Sequence, residues 1–133
     1  KRLALAGVIA GGSRVLLLDE PMAGLDPPGR DEITVILDDL HRAGRIIITA
    51  THDVDFAAEW ANMIVLMDSG RIIASGSPDI LTDAKLMASA GLSMPRLAEV
   101  FAAFYTGRPE IEAELPGTRS AVLKWLRNRI PGG

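Results

Sequence analysis

No cysteine occurs among the 133 residues. A disulfide framework and a thiolate-held metal site are both excluded by that absence. It suits a reducing compartment without requiring one. Nor is there an excess of basic charge: the formal net charge is -3, which gives no sign of a nucleic-acid surface. No internal repeat or low-complexity tract interrupts the chain. The apolar stretch Leu3–Ala10 is too short to span a bilayer. It follows Lys1-Arg2, an order that leader peptides share, but it lies at the short end of that pattern. It reads instead as a small-residue helix closed by Gly11 and Gly12, where glycine suits a left-handed cap.

What the sequence does contain is enough apolar material for a core. Hydrophobic residues make up 48% of it, so a folded chain of one ordinary domain or less is expected. Val15–Leu18 predicts a short strand buried on both faces. Pro27 and Pro28 open a helix. Ile33, Ile36, Leu37 and Leu40 form its apolar face, while Asp31, Glu32, Asp38, Asp39 and Arg42 meet water; Gly44 stops it. Ile46–Ile48 is a second β-branched strand. Asp53 caps a short helix reaching Asn62. A third strand runs from Met63 to Met67. The turn Asp68-Ser69-Gly70 then returns the chain as a fourth, Arg71–Ser75, in a hairpin.

Strand alternating with helix predicts a parallel sheet covered on both faces. Ligands in such sheets bind beyond the carboxyl ends of the strands. Asp19, Glu20 and His52 all fall at that rim. Past Gly76 the pattern becomes helical. Ser77-Pro78 starts one helix, and residues 83–92 form a second stopped by Gly91. Pro95 opens a third, with Leu97, Val100, Phe101 and Phe104 on one face. Gly107–Gly117 is a polar link. Thr118 or Ser120 begins a last helix, with Val122, Trp125 and Leu126 apolar and Lys124, Arg127 and Arg129 forming a solvated basic face.

Adjacent carboxylates after an apolar strand have a known chemical use. One holds Mg²⁺ through water while its neighbour positions or deprotonates an attacking water. Taken alone, Asp19-Glu20 reads as a polar strand end, and a lone histidine such as His52 as a structural or surface residue.

The wider context changes that reading. "VLLLDEPMAGLDP" resembles the Walker B and D-loop segment of ABC-type ATPases. "KRLALAGVIA" upstream is similar to the helix that follows the family's signature motif, and "IIITATHD" downstream resembles its switch region. These matches stand in the family's order and cover Lys1 to about Gly76. The Ala-Glu-Trp-Ala stretch, the proline after Gly76 and "GLSMPRLAEVF" further resemble the ATPases of energy-coupling-factor transporters, above all the cobalt and nickel importers.

The resemblance implies an α/β fold: the C-terminal half of a P-loop NTPase core over residues 1–76, with a mainly parallel sheet, followed by a helical extension over 77–133. It implies ATP as substrate and Mg²⁺ as cofactor. Asp19 would organise Mg²⁺ through water, Glu20 would activate or orient the attacking water, and His52 would reach the γ-phosphate. Asp26 would sit in the D-loop, which crosses to a second ATPase subunit; it also suits the N-cap of the helix opening at Pro27. The implied partners are that second subunit and a transmembrane coupling subunit at the cytoplasmic face of the membrane, with no nucleic acid. Cobalt heads the implied solutes, with nickel and vitamins as alternatives.

The chain departs from the family in one respect. No G-x-x-x-x-G-K-[ST] loop occurs in it, nor the glutamine-bearing loop or the signature motif. That phosphate loop supplies the backbone N–H groups and lysine that cradle a triphosphate. The polypeptide by itself is therefore expected to bind and hydrolyse ATP poorly, and to self-associate through an uncovered edge or face. Two other functions fit the same residues: a non-catalytic dimerisation or regulatory module built on the helices after Ser77, and a non-transport ABC ATPase.

Overall fold

The computed structural model describes residues 7, 11–104 and 115–129. The chain divides into two compact units, Lys1–His52 and Asp53–Gly133. This division follows packing and is of a different kind from the motif boundary after Gly76. Most of the expected opening helix lies outside the described residues. At its end, the Gly11 N–H donates to the Gly7 carbonyl at 3.3 Å, and Gly12 takes a φ of 68°.

The first unit is a single βαβ turn: β1 (Val15–Asp19), α1 (Pro27–Arg42) and β2 (Ile46–Ala50). β1 and β2 pair in parallel, with Val15 opposite Ile46 and Asp19 opposite Ala50. A parallel pair needs a crossover, and α1 supplies it. Asp26, in extended backbone before the helix, accepts the Gly29 N–H on its carboxylate at 3.1 Å. Pro27 and Pro28 follow it, where their missing N–H groups cost nothing. At the far end Gly44 turns left-handed, with a φ of 82°, a conformation that glycine adopts without penalty. Ile33 and Leu37 are buried along one side, and the helix lies against β2.

Among the described residues of this unit, one face of the ladder is covered. Leu16 is buried, and Leu18, Ile47 and Thr49 on the same face are half-buried. On the other face, Val15 is 46% exposed, Leu17 72%, Ile46 55% and Ile48 53%. The strands are therefore not buried on both faces, as the continuous apolar runs suggested. One crossover helix covers one face, and among the described residues of this unit no second layer lies over the other.

The second unit comprises α2 (Val54–Trp60), β3 (Ile64–Asp68), β4 (Arg71–Gly76), a 3-10 helix (Pro78–Thr82), α3 (Ala84–Ser89), α4 (Arg96–Phe104) and α5 (Arg119–Arg129). The hairpin expected of the third and fourth strands forms, β3 antiparallel with β4, but in a two-stranded sheet of its own and not as a continuation of the parallel ladder. The turn explains the tight return. Ser69 and Gly70 have φ of 48° and 76°, the double positive φ of a hairpin turn that matches strand twist. The register shifts between Leu66 and Met67.

A lone two-stranded hairpin is marginal in water, so its inner face has to pack. Ile64 and Leu66 join Ala58, Leu81 and Met87 in one buried cluster. Removing a side chain such as Leu66 from that cluster by Leu66→Ala costs about 2–5 kcal/mol. Gly76 sits tight against this packing, since a Cβ there would lie 3.0 Å from Ile80 Cγ2.

Past Gly76 the described elements are helices near the expected positions, with one difference on α4. Leu97 and Phe101 are half-buried and Ala98 fully so, whereas Val100 is 50% and Phe104 81% exposed. The inward stripe follows 97, 98 and 101, spaced i, i+1, i+4, and leaves the other two apolar positions facing water. Phe101 meets Trp125 of α5 edge to face at 5.1 Å. Val122 and Leu126 are half-buried beside Trp125, and Lys124 and Arg127 are exposed. Most of the expected Gly107–Gly117 link lies outside the described residues. Among those described, no helix is long and apolar enough to cross a membrane.

Carboxylates of α2 hold the starts of two later helices. Asp53 first caps α2 itself, taking the Phe56 N–H at 3.0 Å. Asp55 then accepts the Arg96 N–H at 2.8 Å, and its second oxygen pairs with Arg96 Nε at 3.1 Å. Glu59 accepts the Arg119 N–H at the start of α5. Helix N-termini carry unpaired N–H groups and partial positive charge, so each contact satisfies both at once. Asp55→Ala is expected to cost about 1 kcal/mol. In amide exchange the first turn of α4 should lose protection while α5 keeps its own. Unchanged protection at α4 would contradict this anchoring.

Candidate active site

The parallel register places the site. Because Asp19 stands opposite Ala50, the next residues along each strand, Glu20 and Thr51, come side by side. The Glu20 N–H extends the ladder by one bond, donating to the Ala50 carbonyl at 2.9 Å. Glu20 then leaves the strand in a left-handed conformation, with a φ of 46°. For a residue other than glycine that conformation costs on the order of 1–3 kcal/mol. The contacts of the side chain offset the cost.

Three of those contacts shape the site. The Thr51 hydroxyl donates to Glu20 Oε2 at 2.9 Å. The His52 N–H donates to Glu20 Oε1 at 2.9 Å, and His52 Nδ1 lies 2.5 Å from the same oxygen. The His52 side chain is 80% exposed and that of Glu20 31%. Partial burial pushes the Glu20 carboxyl up. Hydrogen bonds from the Thr51 hydroxyl, the His52 ring and the His52 N–H, with the attraction of the His52 charge, more than reverse that push. The group titrates below its usual 4.5 and stays a carboxylate, able to accept a proton, through the neutral range.

Of the four residues expected to act, Glu20 and His52 touch directly. Asp19 closes β1 as an exposed side chain on the uncovered face. Asp26 engages the first turn of α1 through its side chain. Among the described residues, no group of three or more His, Asp or Glu side chains forms a protein-only metal cage. Mg²⁺ does not need one: it is held by one or two carboxylates while water and phosphate oxygens fill the remaining positions. An exposed carboxylate beside Glu20 fits that requirement.

Sequence reasoning missed Thr51. The signal was present, since pairing the two apolar runs in parallel sets Thr51 against Glu20. It also missed that Asp55 and Glu59 anchor later helices, because the partners lie 41 and 60 residues away in the chain.

Known proteins of one kind resemble the chain. No family model matches the chain. It is 42% identical over 126 residues to the energy-coupling factor transporter ATP-binding protein EcfA of Carboxydothermus hydrogenoformans, a match covering 95% of this chain and 46% of that protein. It is 39% identical over 133 residues to EcfA2 of Methanospirillum hungatei, covering 99% of this chain and 33% of that one. The solved structure of cbiO1 from Clostridium perfringens, described as part of the ABC transporter complex cbiONQ, superposes with a TM-score of 0.56 at 37% identity. It covers 74% of this chain and 40% of its own. This chain thus spans less than half the length of the proteins it matches. It corresponds to the C-terminal half of an ABC-type ATP-binding subunit, with that half of a P-loop NTPase fold. Both relatives named above are ATP-binding subunits of energy-coupling-factor transporters.

The lowered Glu20 pKa has a consequence for stability. A carboxyl depressed in the folded state contributes stability that is fully present above its unfolded value and is lost as pH falls through the folded one. Carbon-13 titration of the Glu20 carboxyl should give a midpoint below 4.5. Glu20→Gln should lose less stability than the parent on acidification from about pH 5 downward. Equal acid sensitivity in both would contradict the contacts described.

Proposed function

We propose that this chain carries the hydrolytic edge of the ATPase subunit of an energy-coupling-factor importer. The observation that supports this most is the direct contact of Glu20 with His52 at the carboxyl ends of two paired parallel strands. A triphosphate tip at that rim would meet both groups. Glu20, kept ionised, orients the attacking water and takes its proton on a carboxylate oxygen. His52, exposed and held from one side, turns its ring to donate to a γ-phosphate oxygen. Asp19 would hold Mg²⁺ through water, and the bound ion would neutralise phosphate charge. Asp26 combines the N-cap of α1 with a D-loop position facing a second ATPase subunit.

The other partner in this reading is a transmembrane coupling subunit, with the ATPase at the cytoplasmic face of the membrane. The solute is a transition metal, cobalt first, with nickel and vitamins as alternatives. The helices after Ser77 also suit dimerisation or regulation, a reading supported by the apolar Val100 and Phe104 exposed on α4. An ABC ATPase working outside transport has no such observation in its favour.

Two outcomes test the reading. In the full-length subunit, Glu20→Gln should lower ATP turnover by about 10²–10⁴-fold, the usual worth of a general base. The 133-residue chain alone should show neither micromolar binding of Mg-ATP in calorimetry nor turnover, because no phosphate cradle is present to supply charge-assisted bonds. Chelator-sensitive hydrolysis by the chain alone would contradict this.

The uncovered face of β1 and β2 generates a further expectation. Exposed contiguous apolar surface drives association. Sedimentation of the chain should show association that grows with concentration, and Leu17→Glu should shift it toward monomer. A parent that stays sharply monomeric over a wide concentration range would count against it.

A further inference from the structure

We propose that Thr51 is a positioning residue for ATP hydrolysis, holding the Glu20 carboxylate in place when His52 turns away toward phosphate. This inference rests on the reading of Glu20 and His52 given above. The geometry divides the work between the two oxygens of Glu20. Oε1 is held by the His52 N–H and ring, and Oε2 by the Thr51 hydroxyl at 2.9 Å.

The two side-chain contacts differ in kind. The His52 ring is 80% exposed and is the group that reaches for phosphate. Once it does, it no longer clamps Oε1. The terminal torsion of a glutamate is broad and roughly two-fold, so losing that clamp leaves the carboxylate less constrained. Thr51 is half-buried and directly follows β2. Its β-branched side chain is stiff at χ1, so its hydroxyl stays aimed at Oε2. With Oε2 fixed by Thr51 and the backbone of Glu20 fixed by its bond to Ala50, the proton-accepting oxygen keeps its place through the reaction. Thr51 touches neither substrate nor metal in this scheme; it acts through Glu20.

Steady-state ATP hydrolysis by the full-length subunit tests this with five proteins: parent, Thr51→Val, Thr51→Ser, Glu20→Ala and the Glu20→Ala/Thr51→Val double variant. Valine keeps the shape of threonine and removes the hydroxyl. The kcat of Thr51→Val should fall about tenfold, as expected for losing a hydrogen bond to a charged group, with the KM for ATP changed by less than about twofold. Thr51→Ser should restore most of the rate. In the Glu20→Ala background, adding Thr51→Val should change residual turnover by less than about twofold, the non-additivity of groups that act as a unit.

If Thr51→Val kept the parent kcat, or Thr51→Ser failed to rescue it, or the effect persisted in full without Glu20, the proposal would be overturned while Glu20 kept its role. If Glu20→Ala itself kept the parent rate, the underlying reading would fail instead. Should Thr51→Val not fold, Thr51→Ala against Thr51→Ser gives the same comparison.

Discussion

The alignment of β1 with β2 is the constraint on which the rest of the site depends. Parallel strands bring their carboxyl ends to the same edge, and this register sets Asp19 beside Ala50. The next residue on each strand is then fixed as a neighbour of the other. Slipping the register by one would send the side chains of a strand to the opposite face. Leu16 and Leu37, both buried, oppose that slip, and they also keep Glu20 against Thr51 and His52. Packing on one face of a small ladder thereby determines which side chains meet at its end.

The same edge is held under local strain. Glu20 adopts a left-handed φ of 46°, a conformation that needs surrounding structure to sustain it. The backbone bond to Ala50 and the carboxylate's contacts with Thr51 and His52 contribute to that support. Those contacts also keep the carboxyl ionised. A single arrangement thus fixes the direction, the charge and the proton-accepting capacity of one side chain, while leaving the His52 ring largely exposed to solvent.

Much of this was legible in the residues. The apolar runs, the prolines after Asp26, the Asp68-Ser69-Gly70 turn and the caps at Asp26 and Asp53 each signal their structure locally, and each formed. The motif order around Asp19, Glu20 and His52 pointed to the family, which the relatives bear out. What was not legible depends on partners distant in the chain. Continuous runs at Val15–Leu18 and Ile46–Ile48 look buried on both faces, because apolar composition does not reveal whether a second layer is present. The hairpin of β3 and β4 is legible from its turn, but nothing local shows that it forms a sheet apart from β1 and β2. Val100 and Phe104 fall at helical spacing with Leu97 and Phe101, yet the inward stripe turns toward Ala98. Nothing local marks Glu20 for a positive φ. Asp55 and Glu59 look like surface acids, and only the folded chain places Arg96 and Arg119 above them.

The central claim is that one strand register delivers a water-activating carboxylate and a phosphate-sensing imidazole to the same triphosphate. A crystal structure of the full-length subunit with Mg²⁺ and a non-hydrolysable ATP analogue tests it most directly. The account predicts the Glu20 carboxylate facing the γ-phosphate and still bonded to the Thr51 hydroxyl, with the His52 ring turned onto a γ-phosphate oxygen. A triphosphate seated away from the ends of β1 and β2, or Glu20 and His52 drawn to separate surfaces around it, would contradict the account.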